Sequence, residues 1–182
     1  MRVTFKLGDE DLSHLKRMMR SAAAKQKDPR KIVDAARALA RSAREAKPPD
    51  YVLERITTIE DIVRMVEDTE WRLPASVRKR VCSALAYFAE PHDLIPDHIP
   101  GLGFLDDAIM IEIMAEGFQP EIQGYRNFCR YRDSSSRRLS SATQAPLLQQ
   151  RLLAKRRQLR ARIQARRQRA RDGDGAGRHF EF

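Results

Sequence analysis

Pro74-Ala-Ser-Val-Arg-Lys-Arg-Val-Cys-Ser-Ala-Leu-Ala-Tyr-Phe-Ala-Glu-Pro91 decides the fold. Pro74 pre-sets the backbone angle of a first helical residue, and Val77, Val81, Ala84, Leu85 and Phe88 recur every three or four positions until Pro91. The same spacing extends outward in both directions. Ile59, Ile62, Val63 and Val66 stripe a helix from Tyr51 to about Thr69; Thr58 and Asp61 resemble a capping box, which predicts an interruption near Thr57 and Thr58. Further upstream, Asp28 is a good N-cap with Pro29 at the first helical position. Ile32, Val33, Ala36, Leu39 and Ala40 line that helix, which ends near Ala46. Acidic Asp9, Glu10 and Asp11 open another helix over 9 to 26, after an extended arm at Met1 to Phe5. Downstream, a helix starts at Phe104 or Leu105 and runs toward Phe128 or Tyr131, with a break or kink expected at Gly117 and Pro120. No segment alternates as a strand would, so the predicted class is all-α, a small helical bundle.

The charge distribution divides the chain. Residues 1–133 hold 22 Lys/Arg and 22 Asp/Glu, whereas residues 134–182 hold 13 and 3 and so carry the whole net charge of +10. With 182 residues, 42% of them hydrophobic, the chain is sized for one core with an appendage. Cys82 and Cys129 lack CxxC spacing and read as core thiols in a reducing compartment. The opening residues lack a signal-peptide pattern and no apolar run of eighteen residues occurs, which points to a cytoplasmic protein. Trp71 reads as a packing residue at a helix junction. No nucleophile elbow, P-loop, Rossmann fingerprint or HExxH is present.

Between the helices ending at Pro91 and starting near Phe104 lies a corner shaped by Pro91, Pro96, Pro100, Gly101 and Gly103. Asp93, Asp97, Asp106 and Asp107 are placed there among apolar residues, where an unpaired charge is costly. In the structural reading, Asp93 caps a turn, and Asp106 or Asp107 accepts free amides in the next helix's first turn or pairs with Arg78, Lys79 or Arg80. In the alternative, Asp97 and Asp106 or Asp107 converge beside His92 or His98 on a divalent cation, and the centre is a metal-dependent hydrolase. No other cofactor is implied.

Residues 80–118, above all Tyr87, Pro91, Asp93-Leu-Ile-Pro-Asp97, Ile99-Pro-Gly-Leu-Gly103 and Leu105-Asp-Asp107, resemble the small YkvA-like family, also known as the domain of unknown function DUF1232. The resemblance covers about a fifth of the chain. It implies a helix, a proline-rich corner and a second apolar helix, often in proteins at or in membranes, and no general reaction. The characteristic positions fall on Pro91, Asp93, Pro96, Asp97, Pro100, Gly103, Asp106 and Asp107. His92 departs from the apolar residue expected there. Glu112 and Glu116 interrupt the second helix, which argues against insertion and leaves peripheral contact with the inner face of a membrane.

Residues 134–143, rich in serine, read as a linker that separates a body (1–133) from a basic helix (144–171) and a flexible tail (172–182). Arg151, Lys155, Arg156, Arg157, Arg160, Arg162, Arg166, Arg167, Arg169 and Arg171 crowd roughly 31 Å of that helix. Leu148, Leu152, Leu159 and Ile163 form an apolar strip that reads as too thin for a core face, because Lys155 and Arg156 occupy its middle. A protruding arm is expected, and the body is expected to fold without it. Like charges four residues apart, such as Arg162 and Arg166, oppose one another unless a counter-surface is supplied. A solvated helix, nucleic acid, an anionic membrane contacted through the Leu strip, and an acidic protein or a second copy all remain open. The overall expectation is a non-enzymatic binding or adaptor protein directed at a polyanion, nucleic acid first.

Overall fold

A computed structural model describes residues 9–25, 27–89, 104–138 and 145–173. Among them every regular element is helical: α1 (Asp9–Lys25), α2 (Pro29–Glu45), α3 (Asp50–Glu67), α4 (Ala75–Leu85), α5 (Leu105–Arg138) and α6 (Ala145–Gly173), with a 3-10 turn at Ala86–Ala89. The corner residues Pro91, His92, Asp93, Pro96, Asp97, His98, Pro100, Gly101 and Gly103 lie outside the described residues, as do the N-terminal arm and the chain beyond Gly173.

α3 packs between α2 and α5, and α5 in turn packs between α3 and α6; α1, α4 and the 3-10 turn close the other end against α2. The sandwiching explains why Val52, Ile56, Ile59, Ile62, Val63, Met65 and Val66 are all buried on α3, more than one stripe requires. At α2 the local code is realised as read, with Asp28 accepting the Arg30 amide at 2.9 Å and Pro29 opening the helix.

Four expectations along α3 and α5 are corrected. α3 is not interrupted at Thr57 and Thr58, whose hydroxyls donate to the Leu53 and Glu54 carbonyls at 2.9 and 3.2 Å. Asp61 is no capping partner; it pairs with Arg64 and Arg126 at 2.7 and 2.6 Å. α5 continues through Gly117 and Pro120, because Phe118, Ile122, Tyr125 and Phe128 are buried on either side and that packing outweighs one lost backbone bond. The same helix absorbs Ser134, Ser135 and Ser136, so the expected boundary at 133/134 falls inside it. Ser135 is buried, and Ser134 Oγ donates to the Tyr131 carbonyl at 2.9 Å.

α6 is not a protruding arm. Lys155 lies over the Tyr131 ring, Ile163 meets Gly124, and Arg167 pairs with Glu121, so the contacts run in reverse order along α5 and the two helices are antiparallel. Leu152 and Leu159 are each 4% exposed and belong to the core, with Leu148 and Ile163 packed against it. The cations in the strip do not prevent this. Their charged ends find partners on the body itself, Lys155 Nζ 5.2 Å from the Tyr131 ring centroid and Arg156 bonded to the Glu70 carbonyl at 2.8 Å. Gly124 permits the close approach: a Cβ there would lie 2.6 Å from Ile163 Cδ1.

Candidate polyanion-binding surface

The turn after α3 prepares the ground on which α6 docks. Asp68 ends α3, and its Oδ1 accepts the amides of Glu70 and Trp71 at 2.9 and 2.8 Å, curling the chain back on itself. Its Oδ2 accepts the Tyr125 hydroxyl at 3.1 Å and Arg132 at 2.6 Å. Burial pushes the Asp68 carboxyl up, but the Trp71 amide, Arg132 and Tyr125 outweigh it and hold it below its ordinary value. Burial, Cys129 and Asp68 together push the Tyr125 hydroxyl up. Arg132, which also bonds Glu70 at 3.0 Å, is held more firmly protonated by these carboxylates despite its burial. The turn thereby delivers Trp71, 1% exposed, between Tyr125 and Phe128 at ring-centroid distances of 5.9 and 5.2 Å.

With its amides taken by Asp68, the turn presents carbonyls to α6. Arg156 donates to Glu70 O at 2.8 Å; Arg160 donates to Trp71 O at 2.5 Å and to Arg72 O, with its guanidinium 5.6 Å from the Trp71 ring centroid. Arg72 adopts left-handed backbone (φ 49°) at this point. Farther along, Arg167 meets Glu121, whose side chain is only 4% exposed, at 2.7 Å. Burial lowers the pKa of both Arg156 and Arg160, and neighbouring guanidiniums add to the shift.

The ten cations read as one polyanion-binding set therefore divide. Lys155, Arg156, Arg160 and Arg167 are partly buried and engaged with the body. Arg151, Arg157, Arg162, Arg166 and Arg169 are exposed, and none forms an ion pair with a described carboxylate. The side chain of Arg171 lies outside the described residues. Arg151, Arg162 and Arg169 are spaced by eleven and seven residues, close to whole numbers of turns, and share one flank of the helix.

The aspartates of the corner divide too. Asp106 and Asp107 sit buried in the first turn of α5, each 7% exposed, where carboxylates favour the helix dipole. Asp93, Asp97, His92 and His98 lie outside the described residues; among those described, no three metal-capable side chains cluster. Nor is any described helix long and apolar enough to cross a membrane.

Residues 77–113 match DUF1232. The family is described as a protein of unknown function, and the match runs from α4 across the corner into the first turns of α5. No curated protein and no solved structure matches the chain significantly. The DUF1232 segment excludes α6, Trp71 and the turn at Asp68, so the docking surface belongs to the remainder of the chain.

Sequence reasoning missed Asp68, Glu121 and Gly124. Asp68-Thr-Glu-Trp71 carried a legible hint, since aspartate readily accepts amides two and three residues on. Glu121 and Gly124 carried none, because their roles exist only once Arg167 and Ile163 are brought against them.

Proposed function

We propose that this protein binds nucleic acid through the outward arginines of α6, by backbone contacts of little sequence preference. One observation supports this over an anionic membrane: Leu152 and Leu159, which a membrane-bound helix would insert, are 4% exposed and committed to the body, while Arg151, Arg157, Arg162, Arg166 and Arg169 face solvent. Exposed guanidiniums that pair with no described carboxylate, on a helix docked to a folded body, suit phosphates at repeated spacing. Arg162 and Arg166 repel one another one turn apart, and a polyanion relieves that repulsion.

The test is binding of the full chain to duplex DNA, RNA and anionic vesicles over a salt series. Affinity for nucleic acid should fall linearly with the logarithm of salt concentration. Replacing Arg151, Arg162, Arg166 and Arg169 with Gln should flatten that slope by up to about 4. Salt-independent affinity, or preference for vesicles, would sink the proposal.

A further inference from the structure

The inner flank of α6 holds a second, separate concentration of positive charge. Arg156 and Arg160 are anchored to the carbonyls of residues 70–72, and neither is paired with a carboxylate among the described residues. The Nε of each is buried with no hydrogen-bond partner. Arg72 donates through Nε to the Thr69 carbonyl at 3.1 Å, and no described group bonds its Nη atoms. A cleft of about 170 Å³ opens at this junction, with Arg72, Arg156, Gln149 and Thr69 on its walls. It is smaller than the roughly 300–1,000 Å³ pockets that hold drug-sized ligands, so its occupant is a small group. Glu70 also borders the cleft, but its carboxylate is engaged by Arg132 at 3.0 Å and Gln149 at 3.5 Å. Burial first, and then the nearby charges of Arg72 and Arg157, depress the Arg156 pKa.

We infer that the cleft between α6 and the turn at residues 69–72 seats one phosphoryl group, held by the guanidiniums of Arg72 and Arg156 with Gln149 and Thr69 as further donors. Two guanidiniums lining one small cleft supply planar donors that match the oxygens of a phosphate, and charge-assisted bonds to it would relieve the repulsion between them. The phosphoryl group belongs either to a free phosphate ion or to a phosphodiester of a bound strand. For the second owner the seat rests on the nucleic-acid reading; for the first it stands alone.

The experiment titrates the full chain with inorganic phosphate at constant ionic strength, with chloride as the reference. Heat of binding and melting temperature are read for wild type, Arg72→Gln and Arg72→Lys. Wild type should show saturable heat and a saturating rise in melting temperature. Arg72→Gln should weaken phosphate about tenfold or more while lowering the unliganded melting temperature by no more than a few degrees, through the lost bond to the Thr69 carbonyl, and Arg72→Lys should recover part of the phosphate affinity. A non-saturating rise, or one equal in wild type and Arg72→Gln, would overturn the seat. A short single-stranded oligonucleotide then identifies the owner. If it competes with phosphate, the group is a phosphodiester; if phosphate saturates and the oligonucleotide fails to bind, the seat serves the free ion and only the nucleic-acid reading falls. If the oligonucleotide binds while phosphate never saturates, that reading stands and the seat is wrong.

Discussion

Arg160 and Arg162 stand two residues apart on one helix, yet Arg160 crosses the Trp71 ring to reach the carbonyls of Trp71 and Arg72 while Arg162 faces water. The contrast extends along α6. Lys155, Arg156, Arg160 and Arg167 spend their charge on a ring, on carbonyls and on Glu121, whereas the outward arginines have no described carboxylate to meet. One flank of the basic helix thus anchors it to the body while the other faces water. Four apolar side chains suffice to dock it because the partner surface supplies what a fuller strip would otherwise provide: aromatic rings, free carbonyls and, at Gly124, an approach close enough for Ile163.

The contrast is broken most severely by removing α6. Truncation after Arg138 withdraws Leu152 and Leu159 from the core, and at about 1.5–3 kcal/mol for each fully buried side chain the body should lose about 3–6 kcal/mol. Chemical denaturation of the truncated and full chains measures this; equal midpoints would restore the picture of a detachable arm. Trp71→Ala attacks the same interface from the body side and should cost about 3–5 kcal/mol, read from thermal melting. Loss well below that would mean that α6 closes over the cavity.

Asp68 sharpens the contrast through pH. Its folded pKa lies below its unfolded value, so its contribution is full above the unfolded value of about 3.9 and is lost as pH falls through the folded one. Asp68→Asn should cost about 1.5–3 kcal/mol at neutral pH and flatten the acid limb of the stability profile. An unchanged acid limb would show that another carboxylate governs it. The smallest effect belongs to the outward face: Arg162→Gln should move stability by no more than about 0.5 kcal/mol, since the side chain is exposed and makes no described ion pair. Arg160→Gln, which strips the Trp71 and Arg72 carbonyls of their donor, should cost about 1–3 kcal/mol, and an equal drop for Arg162→Gln would erase the distinction between the two sides.

Much of this architecture was legible in local pattern. The cap at Asp28 with Pro29, the end of α1 before Asp28, and the stripes of α2, α3 and α4 follow from periodicity and capping within a few residues. The misread places share one cause. Thr57, Pro120 and Ser134 to Ser136 are weak points for an isolated helix, but α3 and α5 are packed by other helices, and burial overrides local preference. The candidate site was half legible: the arginines were visible, but not which of them the body would claim.

The sequence by itself determined that the chain is helical, where most of its helices start and stop, and that the positive charge is concentrated beyond residue 133, because propensity, capping and charge are properties of near neighbours. Only the tertiary structure decided which side of α6 is buried. Arg156 finds its carbonyl 86 residues away and Arg160 finds one 89 residues away, so no local pattern could have assigned them. A charge becomes either an anchor or a free contact according to what chain folding places opposite it.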